Sequence, residues 1–194
     1  MKQVSLAEAA VLLKKGDIGI LPTDTLYGLV ASALDREAVE LVYRVRGRDE
    51  GKPCIVLISD QSDIERFFGL SLSGLATKLA EMWPGKVSVI LPCPDAKWAY
   101  LHRGTETVAF RVPDRSELRE LLRKVGPLIA PSANPQGMPP AKTIEEAEEY
   151  FGSDADFYVD AGMLDSEPST VVRFMDGKLS VVREGAVKIS NQES

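Results

Sequence analysis

Cysteine and histidine are scarce in this sequence. Its 194 residues include two cysteines, Cys54 and Cys93, and one histidine, His102. Neither cysteine belongs to a CxxC pair, so a disulfide framework and a cysteine-rich zinc site are excluded. A single histidine also excludes metal sites and catalytic triads that need two. We expect His102 to lie on the surface in a loop.

Other signals that mark whole classes of protein are absent as well. No apolar stretch approaches the ~18 residues that span a membrane, and residues 1–8 lack the cationic start and apolar run of a signal peptide. The formal net charge of −6 and the pI near 5.0 exclude a uniformly basic nucleic-acid-binding surface, although not a local basic patch. We therefore expect a cytoplasmic protein with no membrane association.

Glycine-rich phosphate loops are missing too. The sequence contains no GxxxxGK[ST] loop and no GxGxxG fingerprint, and the HExxH and GxSxG motifs are also absent. A bound phosphate would therefore have to be held by side chains.

The composition that is present is that of an ordinary globular domain, with 44% hydrophobic and 27% charged residues. A capping box at Ser5-Leu-Ala-Glu8 and an N-cap at Asp35 predict helix starts, and the apolar run Cys54–Ile58 predicts a central strand. Because helices and strands mix without strict βαβ alternation, we expect one α/β domain over residues 1–189 on a mixed sheet, followed by a frayed tail at 190–194.

Three further patterns refine this expectation. Residues 170–174 and 179–183 flank an Asp-Gly turn and predict a β-hairpin. Asp114-Arg-Ser-Glu117 predicts a second capping box. Trp83, which precedes a Pro-Gly pair, is expected to be a core aromatic residue.

Cations cluster just before the predicted central strand. Arg44, Arg46, Arg48 and Lys52 lie within nine residues of each other. At a helix C-terminus such cations can complement the helix dipole and stay solvated. Guanidinium forks also match phosphate oxygens, so Arg46 and Arg48 fit a polyphosphate clamp. Their position before a sheet edge, where ligands dock in α/β proteins, favours the clamp.

Polar segments follow two predicted strands, at 18–21 and 128–130, and a charge interrupts a third, at 107–112. Pro22-Thr-Asp-Thr-Leu-Tyr-Gly28 and Ala130-Pro-Ser-Ala-Asn134 fit either ordinary turn and cap chemistry or substrate-binding loops at strand ends. Arg111 lies in an otherwise apolar strand, where a charge needs a partner. That partner is either an internal carboxylate or the carboxylate of a substrate.

Taken in order, these segments and four others resemble one family, the YrdC-type threonylcarbamoyl-AMP synthases in their short single-domain form. The motifs run from the first strand almost to the end of the chain: Pro22–Leu29, Arg46-Gly-Arg48 with Lys52-Pro53, Trp83-Pro-Gly85, Thr107–Arg111, Pro131–Asn134 with Gly137, Ser169–Val171 and Arg183–Gly185. The resemblance implies a twisted, open, mixed β-sheet flanked by helices, with a deep, positively charged cavity.

The resemblance also implies an activity. Such enzymes condense L-threonine, bicarbonate and ATP into L-threonylcarbamoyl-AMP and release pyrophosphate, with Mg²⁺ accompanying the ATP and no nucleophile from the protein. A threonylcarbamoyl-transferase complex then passes the group to adenosine 37 of tRNA. The alternatives are a YrdC-fold RNA-binding protein and a paralogue without adenylate-forming activity.

The resemblance assigns two groups of residues to the site. Threonine contacts are expected from Thr23, Arg111, Ala130 and Ser169. ATP contacts are expected from Arg46, Arg48, Lys52, Thr107, Ser132, Asn134, Pro140 and Arg183. Two positions depart from the family pattern, because Arg46 stands where a lysine is usual and Leu57 stands where some relatives carry a histidine.

Overall fold

A computed structural model describes residues 2–175 and 177–189, so the predicted tail at 190–194 lies outside the described residues. The described helices are α1 (Leu6–Leu13), α2 (Arg36–Arg46), α3 (Ser62–Phe68), α4 (Ala76–Met82), α5 (Ala99–His102), α6 (Ser116–Val125) and α7 (Ile144–Phe151), with short 3-10 turns at 96–98 and 152–154. No helix in this part of the chain is both long and apolar enough to cross a lipid bilayer.

The strands of the described residues form one sheet in the order β7-β1-β2-β6-β3-β5-β4-β8-β9. Their bounds are β1 (Gly19–Pro22), β2 (Tyr27–Ser32), β3 (Ile55–Leu57), β4 (Val87–Pro92), β5 (Thr107–Arg111), β6 (Leu128–Ile129), β7 (Phe157–Tyr158), β8 (Thr170–Met175) and β9 (Lys178–Arg183). Pairs β1/β7, β3/β5 and β4/β8 are parallel and the others antiparallel, so the predicted mixed sheet is confirmed. The predicted central strand, β3, is the middle one of the order.

Local sequence signals fix the ends of the first two helices. At α1 the Ser5 hydroxyl accepts from the Glu8 N–H at 3.3 Å, and the Glu8 carboxylate accepts from the Ser5 N–H at 2.9 Å. At α2 the Asp35 carboxylate caps the first turn, and Gly47 ends the helix at φ 60°, a conformation that glycine adopts without strain. This stop leaves Arg46 in the last helical turn.

Helices cover the sheet unevenly. Helices α1 and α6 pack on the face that carries Leu21, Val30, Leu57 and Leu128, that is, over β1, β2, β3 and β6. The larger core lies on the opposite face and takes in residues of α2, α3, α4 and α7. Because side chains alternate between faces along a strand, the α1–α6 face continues onto β5, β4 and β8, where neither of these helices covers it.

The structure differs from the sequence expectations at several points. Strand β2 went unpredicted because it begins inside a polar turn motif. His102 is buried in α5 and only 6% exposed, with its Nδ1 accepting from the Gly104 N–H, so the expected surface loop is wrong. The capping box at Asp114 is also wrong, because α6 begins after Arg115 with no side-chain cap. Trp83 is buried as expected.

Candidate functional site

The uncovered half of the sheet face forms the floor of a cavity of about 370 Å³. Directly paired residues point to the same face, and the register pairs Leu57 with Arg111, Ala109 with Ile90, and Ile90 with Arg173. Arg111, Ala109, Ile90 and Arg173 therefore share the face of Leu57, and all four line the cavity. Alternate residues of neighbouring strands are thus brought together in one floor.

Two polar segments that the sequence singled out complete the walls. The segment after β6 runs beside β2, with the Leu29 N–H donating to the Pro131 carbonyl at 3.0 Å and the Ala133 N–H to the Tyr27 carbonyl at 2.8 Å. This backbone pairing sets Ser132 at the cavity beside the polar turn that links β1 and β2. Turns from separate strands therefore meet at one cavity.

Most of the residues assigned by resemblance line this cavity. They are Thr23, Arg46, Arg48, Thr107, Arg111, Ala130, Ser132, Pro140, Ser169 and Arg183. The other two, Lys52 and Asn134, do not line it. The Lys52 ammonium is exposed and lies 3.4 Å from the Asp49 carboxylate. The Asn134 side chain is buried behind Arg46.

The charged residues of the cavity lining all have the same sign. Among the described residues, no aspartate or glutamate lines the cavity. Apart from Tyr27 and one cysteine, the ionisable residues of the lining are five arginines: Arg46, Arg48, Arg111, Arg173 and Arg183. In a protein of formal net charge −6 this is a local concentration of positive charge. Such a lining suits an anionic ligand.

Arg46 is buried yet held only by neutral acceptors. Its Nε donates to the Ser132 carbonyl at 2.9 Å, and its Nη2 donates to Ser132 Oγ at 3.0 Å and to Asn134 Oδ1 at 3.1 Å. No carboxylate of the described residues lies within ion-pair distance of it. Burial lowers the pKa of Arg46, and the neighbouring charge of Arg48 lowers it further. An anion bound here would offset both effects.

Asn134 and the backbone fix the orientation of the Arg46 guanidinium. The Asn134 amide donates to the carbonyls of Pro135 at 2.9 Å and Met138 at 2.7 Å, which directs its Oδ1 toward Arg46. The Gln136 N–H donates to the Arg46 carbonyl at 2.9 Å and ties the end of α2 to the same loop. Asn134 therefore contributes to the site by positioning Arg46.

Arg48 is held by a different kind of partner. Its Nε donates to the Lys52 carbonyl and its Nη2 to the Pro53 carbonyl, both at 2.9 Å. These main-chain acceptors belong to the loop that leads into β3. Like Arg46, Arg48 keeps its charge uncompensated by any carboxylate in the described ranges 2–175 and 177–189.

Arg111 has the internal carboxylate that the sequence left as one alternative. Its Nη2 lies 3.2 Å from Asp24 Oδ1, and the two side chains are 5% and 1% exposed. Burial lowers the pKa of Arg111, while Asp24 opposes that shift. The pairing is incomplete, because Arg111 Nε and Asp24 Oδ1 are buried without a hydrogen-bond partner. Asp24 Oδ2 accepts from the Asp114 N–H at 3.0 Å.

Hydroxyl groups beside Arg111 are already engaged within the protein. The Thr23 hydroxyl donates to the Leu26 carbonyl at 2.6 Å and accepts from the Thr25 and Leu26 N–H groups, which makes a closed turn. Ser169 Oγ lies 2.9 Å from Ser88 Oγ, and both side chains are buried. The Arg183 guanidinium donates to the Ser169 carbonyl at 2.7 Å.

Sequence reasoning missed three residues of this site. Asp24 lay inside a motif that was noticed, but nothing local indicates that it pairs with Arg111. Thr105 lies in a segment without a strand pattern. Arg173 had a usable signal, because it follows Ser169 and Val171 in the period-2 alternation that places all three on the cavity side.

Comparisons with known proteins show the family of this chain. The family model Sua5/YciO/YrdC, described as telomere recombination, matches residues 11–185. A threonylcarbamoyl-AMP synthase of Bacillus subtilis is 37% identical over 94% of the chain and 54% of its own length. A putative threonylcarbamoyl-AMP synthase of Mycobacterium leprae is 33% identical over 95% of the chain and 84% of its own.

A solved structure gives the same fold. Sua5 of P. abyssi, complexed with L-threonine, superposes with a TM-score of 0.85 at 29% identity, covering 93% of this chain and 54% of that one. The α/β fold with its open mixed sheet is therefore confirmed. The chain spans about half the length of the Bacillus and P. abyssi proteins.

Proposed function

The chain belongs to the Sua5/YciO/YrdC family, and from that premise we propose that it synthesises L-threonylcarbamoyl-AMP from L-threonine, bicarbonate and ATP, with release of pyrophosphate. Relatives that carry the name threonylcarbamoyl-AMP synthase support this activity, as does a relative complexed with L-threonine. The alternatives, an RNA-binding protein and an inactive paralogue, have no comparable support.

The observation that carries the proposal is that Arg46 is buried at the cavity without a carboxylate partner among the described residues. A buried guanidinium that faces a cavity with only neutral acceptors keeps its charge for a ligand. A triphosphate supplies the oxygens that match guanidinium geometry, and Arg48 adds a second fork nearby. Thr107, Ser132, Pro140 and Arg183 would complete the nucleotide contacts, and Arg111, with Thr23, Ala130 and Ser169, those of threonine.

The reaction needs position and charge neutralisation more than a nucleophile from the protein. The threonine amine adds to the carbon derived from bicarbonate, with loss of one water, to give an N-carboxylate. An oxygen of that carboxylate attacks the α-phosphorus, and the bond from the α-phosphorus to the bridging oxygen breaks as pyrophosphate leaves. Arg46 and Arg48 would neutralise the leaving pyrophosphate.

The described cavity residues offer no carboxylate to a magnesium ion. No group of three or more histidine, cysteine, aspartate or glutamate side chains in the described ranges is arranged to hold a metal ion, and no carboxylate lines the cavity. We therefore propose that Mg²⁺ enters bound to the phosphates of ATP, its other ligands being water. The roles proposed for Arg46, Arg48 and Arg111 do not depend on the ion.

We further propose that the product serves tRNA modification through a threonylcarbamoyl-transferase complex. This is the class of step that an activated carbamate requires, because threonylcarbamoyl-AMP carries a good leaving group, AMP, and needs an acceptor amine. The acceptor would be the amino group of adenosine 37 in tRNA.

The experiment is substrate omission. Purified protein is incubated with threonine, bicarbonate and ATP, and pyrophosphate release is followed while each substrate is left out in turn. We expect release only when all three are present, with threonylcarbamoyl-AMP identified by mass spectrometry. Pyrophosphate release that ignores threonine would reject the proposal, as would tRNA binding with no adenylate formed.

A further inference from the structure

The corner between α5 and β5 carries unusual backbone strain. Arg103 and Glu106 are the two non-glycine residues of the described chain with positive φ, at 51° and 55°. Residues other than glycine rarely adopt this backbone conformation, and such strain is retained where surrounding contacts enforce it. Thr105, between them, lines the cavity, so the strained corner is part of the wall.

The Arg103 guanidinium anchors this corner to helix α2. Its Nη1 lies 3.0 Å from Glu40 Oε1, and its Cζ lies 3.8 Å from the centre of the Tyr43 ring. The Arg103 side chain is 10% exposed, and its Nε and Nη2 have no hydrogen-bond partner among the described residues. A planar guanidinium stacked on a ring face tolerates this arrangement, since the ring itself is the partner of the cation.

Tyr43 connects Arg103 to the loop that holds Arg48. The Tyr43 hydroxyl donates to the Lys52 carbonyl at 3.0 Å, and the Arg48 Nε donates to the same oxygen at 2.9 Å. The carbonyl thus uses both of its lone pairs. Arg103, Tyr43 and the Lys52 carbonyl form one chain of contacts that ends at a guanidinium of the cavity.

The same corner also orders the neighbouring wall. The Thr105 hydroxyl donates to the His102 carbonyl at 2.7 Å and lies 3.0 Å from the Thr107 hydroxyl. Thr107 is one of the residues expected to contact ATP. Arg103 therefore connects two parts of the proposed nucleotide site, the Thr105–Thr107 wall and the Arg48 loop. Its contacts with α2 set the distance between them.

We propose that Arg103 is a positioning residue for ATP. By stacking on Tyr43, it holds Arg48 and the Thr105–Thr107 wall at a fixed distance from each other. This inference rests on the proposed function for the identity of the nucleotide. Arg103 does not line the cavity and is not expected to touch the substrate. Its effect should therefore appear in nucleotide affinity and be absent from threonine affinity.

The test measures ATP binding and threonine binding separately by calorimetry, so it needs no turnover. Replacing Arg103 with methionine keeps the length but removes the stacked cation, and we expect the Kd for ATP to rise about fivefold, in line with one cation–π contact. The Kd for threonine should change less than about twofold. The control is Lys97→Met, because Lys97 lies over the Trp98 ring but outside the cavity.

Tyr43→Phe provides a second test that is independent of folding defects in the first variant. It leaves the ring under Arg103 and removes only the hydroxyl that holds the Lys52 carbonyl, so ATP affinity should fall about threefold, as for one neutral hydrogen bond. Unchanged ATP affinity in both variants overturns the proposal, and so does an equal loss for ATP and threonine. If the wild-type protein binds ATP but forms no product, the proposed function fails while this inference stands.

Discussion

Arg46 and Arg111 line the same cavity but differ in what balances their charge. Arg111 is paired with Asp24 at 3.2 Å, and both side chains are almost fully buried. Arg46 is held by a carbonyl, a hydroxyl and an amide oxygen, none of which carries a charge. Burial lowers the pKa of both guanidinium groups, but only Arg111 has a carboxylate that opposes the shift.

This difference separates two kinds of ligand chemistry. A guanidinium with neutral partners offers its whole charge to an anion, which suits the triphosphate of the proposed substrate. Asp24, which does not line the cavity, already balances the charge of Arg111, so Arg111 presents hydrogen-bond donors with little net charge, which suits the carboxylate of a zwitterionic amino acid. Under the proposed function, Arg46 would face the more highly charged substrate and Arg111 the neutral one.

The largest expected effect comes from breaking the buried pair. Replacing Arg111 with methionine leaves the Asp24 carboxylate buried without a cation, and we expect a loss of about 3–5 kcal/mol in the free energy of unfolding. Chemical denaturation measures this loss.

A double variant tests whether the unpaired charge is the cause. Arg111→Met combined with Asp24→Asn should recover a large part of the lost stability, because neither charge then remains. Lys142→Met, which breaks an exposed ion pair with Asp165, should leave the unfolding midpoint nearly unchanged. A single Arg111→Met variant as stable as the wild type contradicts the importance of the pair.

The next effect is on catalysis and concerns Arg46. Arg46→Met should lower kcat/KM for ATP about 100-fold, or about 2.7 kcal/mol, because the leaving pyrophosphate loses its buried cation. Arg46→Lys keeps the charge without the fork and should lose about tenfold. Pyrophosphate release is the measurement. Arg44→Met is the matched control, since Arg44 lies exposed in the same helix and outside the cavity; equal effects at Arg44 and Arg46 would count against the assignment.

Local signals in the sequence were sufficient for much of the fold. The box at Ser5 and Glu8 and the stop at Gly47 depend only on neighbours in the chain, and both are present. The convergence of Arg46 with Ser132 was also predictable, because polar turns at strand ends meet at one sheet edge.

Pairings between distant segments were beyond the sequence. That Asp24 neutralises Arg111, rather than a substrate carboxylate doing so, depends on how the β1–β2 turn packs against the end of β5. The Lys52 side chain is a local exception, since it pairs with Asp49 three residues earlier in the chain. The burial of His102 could not be predicted, because helix α5 has only four residues and shows no helical period.

A smaller expected effect concerns the backbone near Arg183. Gly185 packs so closely on the segment before β8 that a Cβ would lie 2.2 Å from the Pro168 carbonyl oxygen and 2.8 Å from that of Ser169. Gly185→Ala should therefore lower the free energy of unfolding by about 1–3 kcal/mol through overpacking. Gly51→Ala is the control, since the nearest atom to its Cβ would be at 3.5 Å. A Gly185→Ala variant with unaltered stability would show that this contact relaxes at no cost.

The smallest effect is expected at Lys52, which the family resemblance assigns to ATP. Its ammonium is exposed, pairs with Asp49 at 3.4 Å and lies off the cavity, whereas its carbonyl holds Arg48. Lys52→Met removes the ammonium and keeps the carbonyl, so KM for ATP should rise less than about twofold, as for an exposed ion pair. Arg48→Met should raise it several times more. A rise of about tenfold at Lys52 would mean that its ammonium turns from Asp49 to the phosphates when ATP binds. Lys52 would then add a third positive charge to those of Arg46 and Arg48.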